Sequence, residues 1–221
     1  MIPYTTAAEA EAALGRALTW PEAAWFRYSS ATPDYCLHFH IVLILSVVYT
    51  LVPLPLVLLE LRASAKLTSP AYKLQPRVRR RTPADFIRCY KDTVRALAPV
   101  TGALQLLSYP AVKMVGIRTG LPLPSVGETV AQLLVYFLIE DYLAYWVHRL
   151  LHTTWAYKKI HRVHHEYTAP NGFAAPYAHW AEVLILGVVA FASPAMVPCH
   201  MTTLWLWFAL SGIQSIETHS G

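Results

Sequence analysis

The chain alternates between long uncharged stretches and short charged ones, at lengths that suit membrane-crossing helices. From Leu37 to Leu59 no Lys, Arg, Asp or Glu occurs, enough for one passage through a hydrocarbon layer about 30 Å thick. Pro53 and Pro55 lie near the end of this stretch and predict a kink or break there. A second stretch, Ala96 to Val112, is interrupted by Pro99, Gly102 and Pro110. A third, about Val130 to Val147, is charged only at Glu140 and Asp141. The fourth, Val183 to Ile216, is uncharged throughout and too long for one crossing at about 1.5 Å per residue. Its centre, SPAMVP from Ser193 to Pro198, predicts a turn between two antiparallel helices. The fold class expected is all-α: a multi-pass integral membrane helical protein. The expected organisation is an N-terminal segment over 1–36, membrane spans and a basic loop over 37–125, and a histidine-rich domain over 126–221.

Composition agrees with this pattern. Of 221 residues, 55% are apolar and 14% charged, against about 25% charged in an ordinary soluble domain. The formal net charge of +5 is local in origin. Between Leu61 and Arg95 ten Lys or Arg face two Asp, a segment charge of +8. A basic loop beside apolar spans places that loop in the cytosol, and the run from Arg77 to Arg81 is expected to meet lipid headgroups, not nucleic acid. Counting crossings from there brings the chain after Val147, and its last residues, to the same side. Residues 1–20 lack a basic start and an apolar core, so no secretory signal is expected and the first span is expected to target the chain. Cys36, Cys89 and Cys199 are too scattered for a disulfide framework or a CxxC site.

The chemistry concentrates in the histidines. Of ten in the chain, six fall between His148 and His179. His148 and His152 are spaced i, i+4 on one helical face, with Tyr145 and Asp141 on its continuation. His161 has His164 and His165 at i+3 and i+4. Imidazole suits iron, zinc, copper and nickel, and the two groups converge on one metal site if two helices meet. The zinc-protease pattern HExxH is excluded, because Arg149 stands where its glutamate would. Asp141 or Glu140 is the expected carboxylate partner of a ligating ring N–H. His38, His40 and His200 are expected to be interfacial aromatics with a wet nitrogen. Trp205, Trp207 and Phe208 are expected to serve packing or interfacial anchoring, with a substrate pocket as the alternative. Asn171-Gly172 predicts a turn that redirects the chain toward His179.

HxxxH followed by HxxHH between apolar helices resembles the fatty acid hydroxylase superfamily of non-haem di-iron membrane oxygenases. EDYLAYWVHRLLH, KIHRVHHEYTAPNGFAAPYAHWAE and IETHSG are similar to plant C-4 methylsterol monooxygenases, as are LTWPEAAWFRYSS, LVPLPLVLLE and GLPLPS. The short plant very-long-chain aldehyde decarbonylases of wax synthesis are similar too. The resemblance implies an endoplasmic-reticulum membrane enzyme with its histidines facing the cytosol. It implies two irons held by His148, His152, His161, His164 and His165, with His219 (the HSG motif) and His179 (the YAHWAE motif) as further candidate ligands. It also implies O2, electrons from NAD(P)H through cytochrome b5 and its reductase, and an apolar substrate entering from lipid. That substrate is a sterol whose C-4 methyl is oxidised, or a long-chain aldehyde converted to an alkane and formate. Arg149 and Arg162 are expected to meet headgroups or cytochrome b5. A homodimer is left open.

Family members carry a further HxxHH box beyond the HSG motif, whereas the present sequence ends at Gly221. One iron is therefore expected to be short of ligands, and a fragment, a shortened isoform, or a non-catalytic paralogue acting as partner or scaffold are the readings that follow.

Overall fold

A computed structural model describes residues 4–65, 81–167 and 171–220. Among them the architecture is all-helical, and pairing between extended segments is limited to one isolated bridge between Arg118 and His200. Two short N-terminal helices, α1 (Ala7–Leu14) and α2 (Trp20–Ser30), precede α3 (Asp34–Leu51) and α4 (Leu54–Ala65). Then come α5 (Pro83–Val115), α6 (Val126–Leu151) and a short α7 (Thr154–Lys159). A 3₁₀ segment at His161–Glu166 and a second at Gly172–Ala174 lead into α8 (Trp180–Met196) and α9 (Met201–Thr218).

The predicted break at Pro53 and Pro55 is present, between α3 and α4. The 30 residues from Asp34 to Ala63 and the 26 of α6 contain 18-residue stretches of mean hydropathy 2.6 and 1.3, and both are long and apolar enough to cross a membrane. The second stretch differs from expectation. Pro99, Gly102 and Pro110 do not interrupt it; all lie within the continuous 33-residue α5, which starts at a Thr82–Asp85 capping box. Arg88, Lys91 and Arg95 therefore sit on a helix rather than in a loop. Arg77 to Arg80 lie outside the described residues, while Arg81 pairs with Glu60 at 3.5 Å.

The turn in the fourth stretch also falls later than expected. Ser193, Pro194, Ala195 and Met196 remain in α8, and the chain reverses over 197–200. Pro194 has no N–H to offer the carbonyl of Ala190 four residues back. The Trp207 indole of α9 donates to that carbonyl at 2.8 Å, so the helix continues through the proline with its acceptor satisfied.

α9 runs alongside α3 in the same direction. The Trp205 indole bonds the Leu37 carbonyl at one end (2.9 Å), and Gly212 abuts Val48 and Leu45 further on. α8 packs against both α5 and α6. The core around Leu37, Ile41, Tyr136, Met201, Leu204 and Trp207 lies where α3, α6 and α9 meet. His38 and His200 are buried, contrary to the wet-nitrogen expectation. His38 Nε2 meets Ser108 Oγ and the Gln105 carbonyl (3.1 and 3.2 Å), and His200 caps α9 while Nε2 meets the Gly120 carbonyl (3.0 Å). Each tethers helix to helix or loop. His40 lies between the Cys36 carbonyl and the Tyr28 hydroxyl.

Candidate metal centre

α6 delivers His148 and His152 at its C-terminal end, and α7 turns the chain back so that the 3₁₀ segment faces them. His152 Nε2 is 3.1 Å from His148 Nε2 and 3.2 Å from His161 Nε2. His165 Nε2 lies 3.0 Å from His161 Nε2. Ligand atoms of these four residues all fall within 4.8 Å of one another. His161 is fully buried at the centre of the group, whereas His148, His152 and His165 are exposed.

The other histidines are arranged differently. His164, expected beside His165, turns away: its Nε2 is 2.9 Å from His219 Nε2. The tight 3₁₀ winding makes His164 and His165 inequivalent neighbours of His161; the His164 ring stacks on His161 at an interplanar angle of 18° while the His165 ring stands at 84°. His219 thus joins the site at the end of α9. His179 stays outside the four-histidine group. It is the N-cap of α8, and its Nδ1 accepts the Ala181 N–H at 3.3 Å.

Hydrogen bonds at the far ring nitrogens orient these imidazoles. His161 Nδ1 donates to Glu182 Oε1 (2.8 Å), both side chains being essentially inaccessible. His164 Nδ1 donates to the Tyr177 carbonyl (3.0 Å) and His219 Nδ1 to the Ser215 carbonyl (2.7 Å). Each bond puts the ring proton on Nδ1 and leaves a lone pair on Nε2. Burial, followed by the neighbouring imidazoles, pushes His161 down to about 3. Burial likewise leads in lowering His164, to about 4. These two rings are therefore neutral at physiological pH, the state a metal ion requires.

His164 and His219 thus bring their Nε2 atoms to hydrogen-bond distance of each other, each ring having its Nδ1 engaged by a backbone carbonyl. A cation resolves that contact. Nitrogen ligands at about 2.0–2.1 Å from one ion lie about 2.8–3.4 Å apart at neighbouring positions, a range that holds the 2.9 Å His164–His219 contact and the 3.0, 3.1 and 3.2 Å contacts of the first group, whose ligand atoms as a set lie within 4.8 Å. The donor set therefore fits metal binding at His148, His152, His161 and His165, and at His164 with His219.

The carboxylate that orients a ring is Glu182, a role the sequence suggested for Asp141 or Glu140. Glu182 Oε2 is buried without a partner among the described residues. Its signal in the sequence was a lone acid just before an uncharged stretch, 21 residues from the histidine it holds. Glu140 instead accepts from Ser211 Oγ of α9 at 2.8 Å. Asn171 Oδ1 caps the second 3₁₀ segment by accepting the Phe173 N–H (3.0 Å), so the predicted turn exists. Trp205 and Trp207 pack internally, while Phe208 faces a cavity. Arg149 donates to the Tyr145 hydroxyl (3.2 Å) and lies over the Trp146 ring.

That cavity, about 860 Å³, runs among α3, α5, α6, α8 and α9. His148, His164 and His219 line one end, and Ile41, Leu45, Leu104 and Leu186 are among its apolar walls.

The structure thus combines an all-helical bundle, a cavity with largely apolar walls and, at its edge, a histidine group that could hold a metal ion. The comparisons supply the family. The fatty acid hydroxylase family pattern matches residues 133–221. The chain is 65% identical, over its whole length, to very-long-chain aldehyde decarbonylase GL1-10 of Oryza sativa subsp. japonica, covering 72% of that protein. It is 57% identical to methylsterol monooxygenase 1-1 of Arabidopsis thaliana, again over its whole length and 74% of the relative. This chain belongs to the fatty acid hydroxylase family. No solved structure matches it.

Proposed function

We propose that the chain is a non-haem di-iron membrane oxygenase that oxidises the C-4 methyl group of a sterol. The observation that carries this reading is the pairing of oriented, unprotonated histidine Nε2 atoms with the end of a large apolar cavity. His148, His152, His161 and His165 would hold one iron, and His164 and His219 would contribute to a second. When bound, the iron supplies activation of O2 by electrons drawn from NAD(P)H through cytochrome b5.

The protein's own residues set the conditions for that chemistry. Glu182 and the Tyr177 and Ser215 carbonyls hold the rings in one tautomer, so the ligand atoms need little rearrangement on loading. The apolar walls exclude bulk water and admit a lipid. α3–α4, the apolar second half of α5, α6, α8 and α9 are embedded in the endoplasmic-reticulum membrane, with the histidines on the cytosolic side, where an electron donor reaches Arg149 and Arg162.

A second reading, deformylation of a very-long-chain aldehyde, is favoured by the 65% identity to the rice aldehyde decarbonylase. Microsomes carrying the chain, supplied with a 4-methylsterol and a long-chain aldehyde, separate the two: oxidised sterol supports the first and alkane the second. Iron and zinc measured per chain on detergent-purified protein test the metal centre. About two irons, lost when His161, His164 and His165 become alanine, are expected; retention of metal by that variant would sink the assignment.

A further inference from the structure

Of the four imidazoles in the first group, His161 has its far nitrogen held by Glu182. The ring hydrogen bonds of His148, His152 and His165 run only between histidine Nε2 atoms among the described residues. All three are exposed. An imidazole without a bond at its far nitrogen turns readily about its terminal torsion, and turning swings Nε2 away from the common point. α7 supplies a different restraint. The Tyr157 ring lies 5.8 Å from that of His152 at an interplanar angle of 29°, and 5.7 Å from that of His165 at 42°. It also meets the edge of His161, 6.1 Å away at 74°. Among the described residues no other ring except a histidine's contacts any of the four. Tyr157 therefore touches one imidazole brought by α6 and two brought by the 3₁₀ segment. Its own backbone is fixed: its N–H donates to the Thr153 carbonyl at 2.8 Å, one turn back. Trp155, Lys158 and Lys159 of the same helix are exposed, while Ala156 is buried and Tyr157 half-buried.

We infer that Tyr157 is a positioning residue of the metal centre, whose ring face holds His152 and His165 with their Nε2 atoms directed at one ion. Hydrogen bonds perform that task for His161, His164 and His219, and Tyr157 performs it for two rings that have none. Rings at these separations attract each other beyond the area they bury, and a flat ring lying nearly parallel to His152 blocks rotation of that imidazole through its plane. Support of this kind is what keeps a ligand set ready for its metal. The phenolic oxygen has no part in it, so the face of any benzene ring at this position suffices. The inference rests on the metal-centre reading above and holds whichever lipid is the substrate.

The test uses the full chain in detergent, carrying His219→Ala so that the four-histidine group is read alone, with cobalt(II) as the probe. Competition with a chelator gives the affinity, and the visible bands of the bound ion report the geometry of its ligands. Tyr157→Leu is expected to weaken cobalt binding about tenfold, the combined scale of two aromatic contacts, and to shift the bands. Tyr157→Phe is expected to restore both. Trp155→Leu, on the exposed side of α7, is expected to change neither, and thermal midpoints of the metal-free variants report the fold. Unaltered affinity and bands in Tyr157→Leu overturn the inference. So does an equal loss in Tyr157→Phe, which would assign the support to the hydroxyl, or in Trp155→Leu, which would assign it to α7 as a whole. A weaker affinity with unshifted bands and a lowered midpoint would make Tyr157 a support of the fold alone, and the inference fails. If the parent chain binds no cobalt, the metal-centre reading itself falls.

Discussion

Glu182 controls more of the metal centre than its single hydrogen bond suggests. It fixes the ring of His161, and the Nε2 of His161 lies within 3.2 Å of those of His152 and His165. Removing the carboxylate frees the ring to take the other tautomer and to rotate. Glu182→Ala is therefore expected to weaken metal binding by about 10–100-fold, the usual cost of losing such a support, as read by competitive titration with a chelator. Glu182→Gln keeps an acceptor oxygen and is expected to fall between the two. The low proton affinity of His161 and His164, about 3 and about 4, gives a pH dependence with a definite sign. The unfolded rings take up protons near 6.5 and the folded rings do not, so the unfolded state binds more protons in between. The contribution of these two rings to the stability of the metal-free protein is then full above about 6.5 and declines as pH falls toward 3, opposed in part by Glu182, whose burial raises its carboxyl to about 7. His161→Asn is expected to flatten the decline measured by thermal denaturation across that range; an unchanged slope would contradict it.

At the scale of elements, two close contacts hold the site's supports in register. A methyl group on Gly172 would come within 2.8 Å of Pro53 Cβ and 3.2 Å of Ile216 Cγ2. Gly172 thus lets the loop after the histidines pass between the α3–α4 break and the end of α9, close to His219. Gly172→Ala is expected to destabilise by about 1–3 kcal/mol through overpacking and to lower metal affinity at the His164–His219 pair more than at the four-histidine group. Trp207→Phe keeps the ring but leaves the Ala190 carbonyl without the donor that Pro194 cannot supply, at an expected cost of about 1–3 kcal/mol in thermal stability. These contacts explain what was and was not legible beforehand. The uncharged lengths located α3–α4, α6, α8 and α9 but only the second half of α5, whose charged first turns had read as loop, and the spacings of His148 with His152 and of His161 with His165 gave true neighbours. The position of the α8–α9 reversal was hidden, because a tryptophan 13 residues beyond Pro194 satisfies the carbonyl that the proline abandons. The departure of His164 toward His219 was hidden too, since an α-helical face treats positions i+3 and i+4 alike and a 3₁₀ segment does not. Glu182 was readable as an unusual acid but not as the partner of His161, because that pairing exists only after α6, α7 and α8 have packed.

For the whole molecule, the decisive question is what surrounds α6. Val126, Val130, Leu134 and Leu138 form a row at four-residue intervals that points away from the protein, with Leu138 73% exposed. Tyr142, Tyr145 and Trp146 are also exposed nearer the histidine end, in the order that an aromatic belt at a membrane boundary produces. An outward apolar row has two physical environments open to it, water or hydrocarbon, and they give opposite results for one substitution. In water, a charge at an exposed position changes stability by no more than about 0.5 kcal/mol. In a bilayer, an arginine near the middle of a spanning helix costs about 2.5–3.5 kcal/mol of insertion free energy. Leu138→Arg is accordingly expected to reduce membrane integration of α6 by at least about tenfold, measured by glycosylation tags on either side of the helix during translation into microsomes. Gln132→Arg, on the side where that glutamine contacts the Pro198 carbonyl at 3.3 Å, tests the opposite face in the same assay. A Leu138→Arg chain that integrates as well as the unmodified one would place this row in water, and the route by which a lipid reaches the cavity would then have to start from solvent.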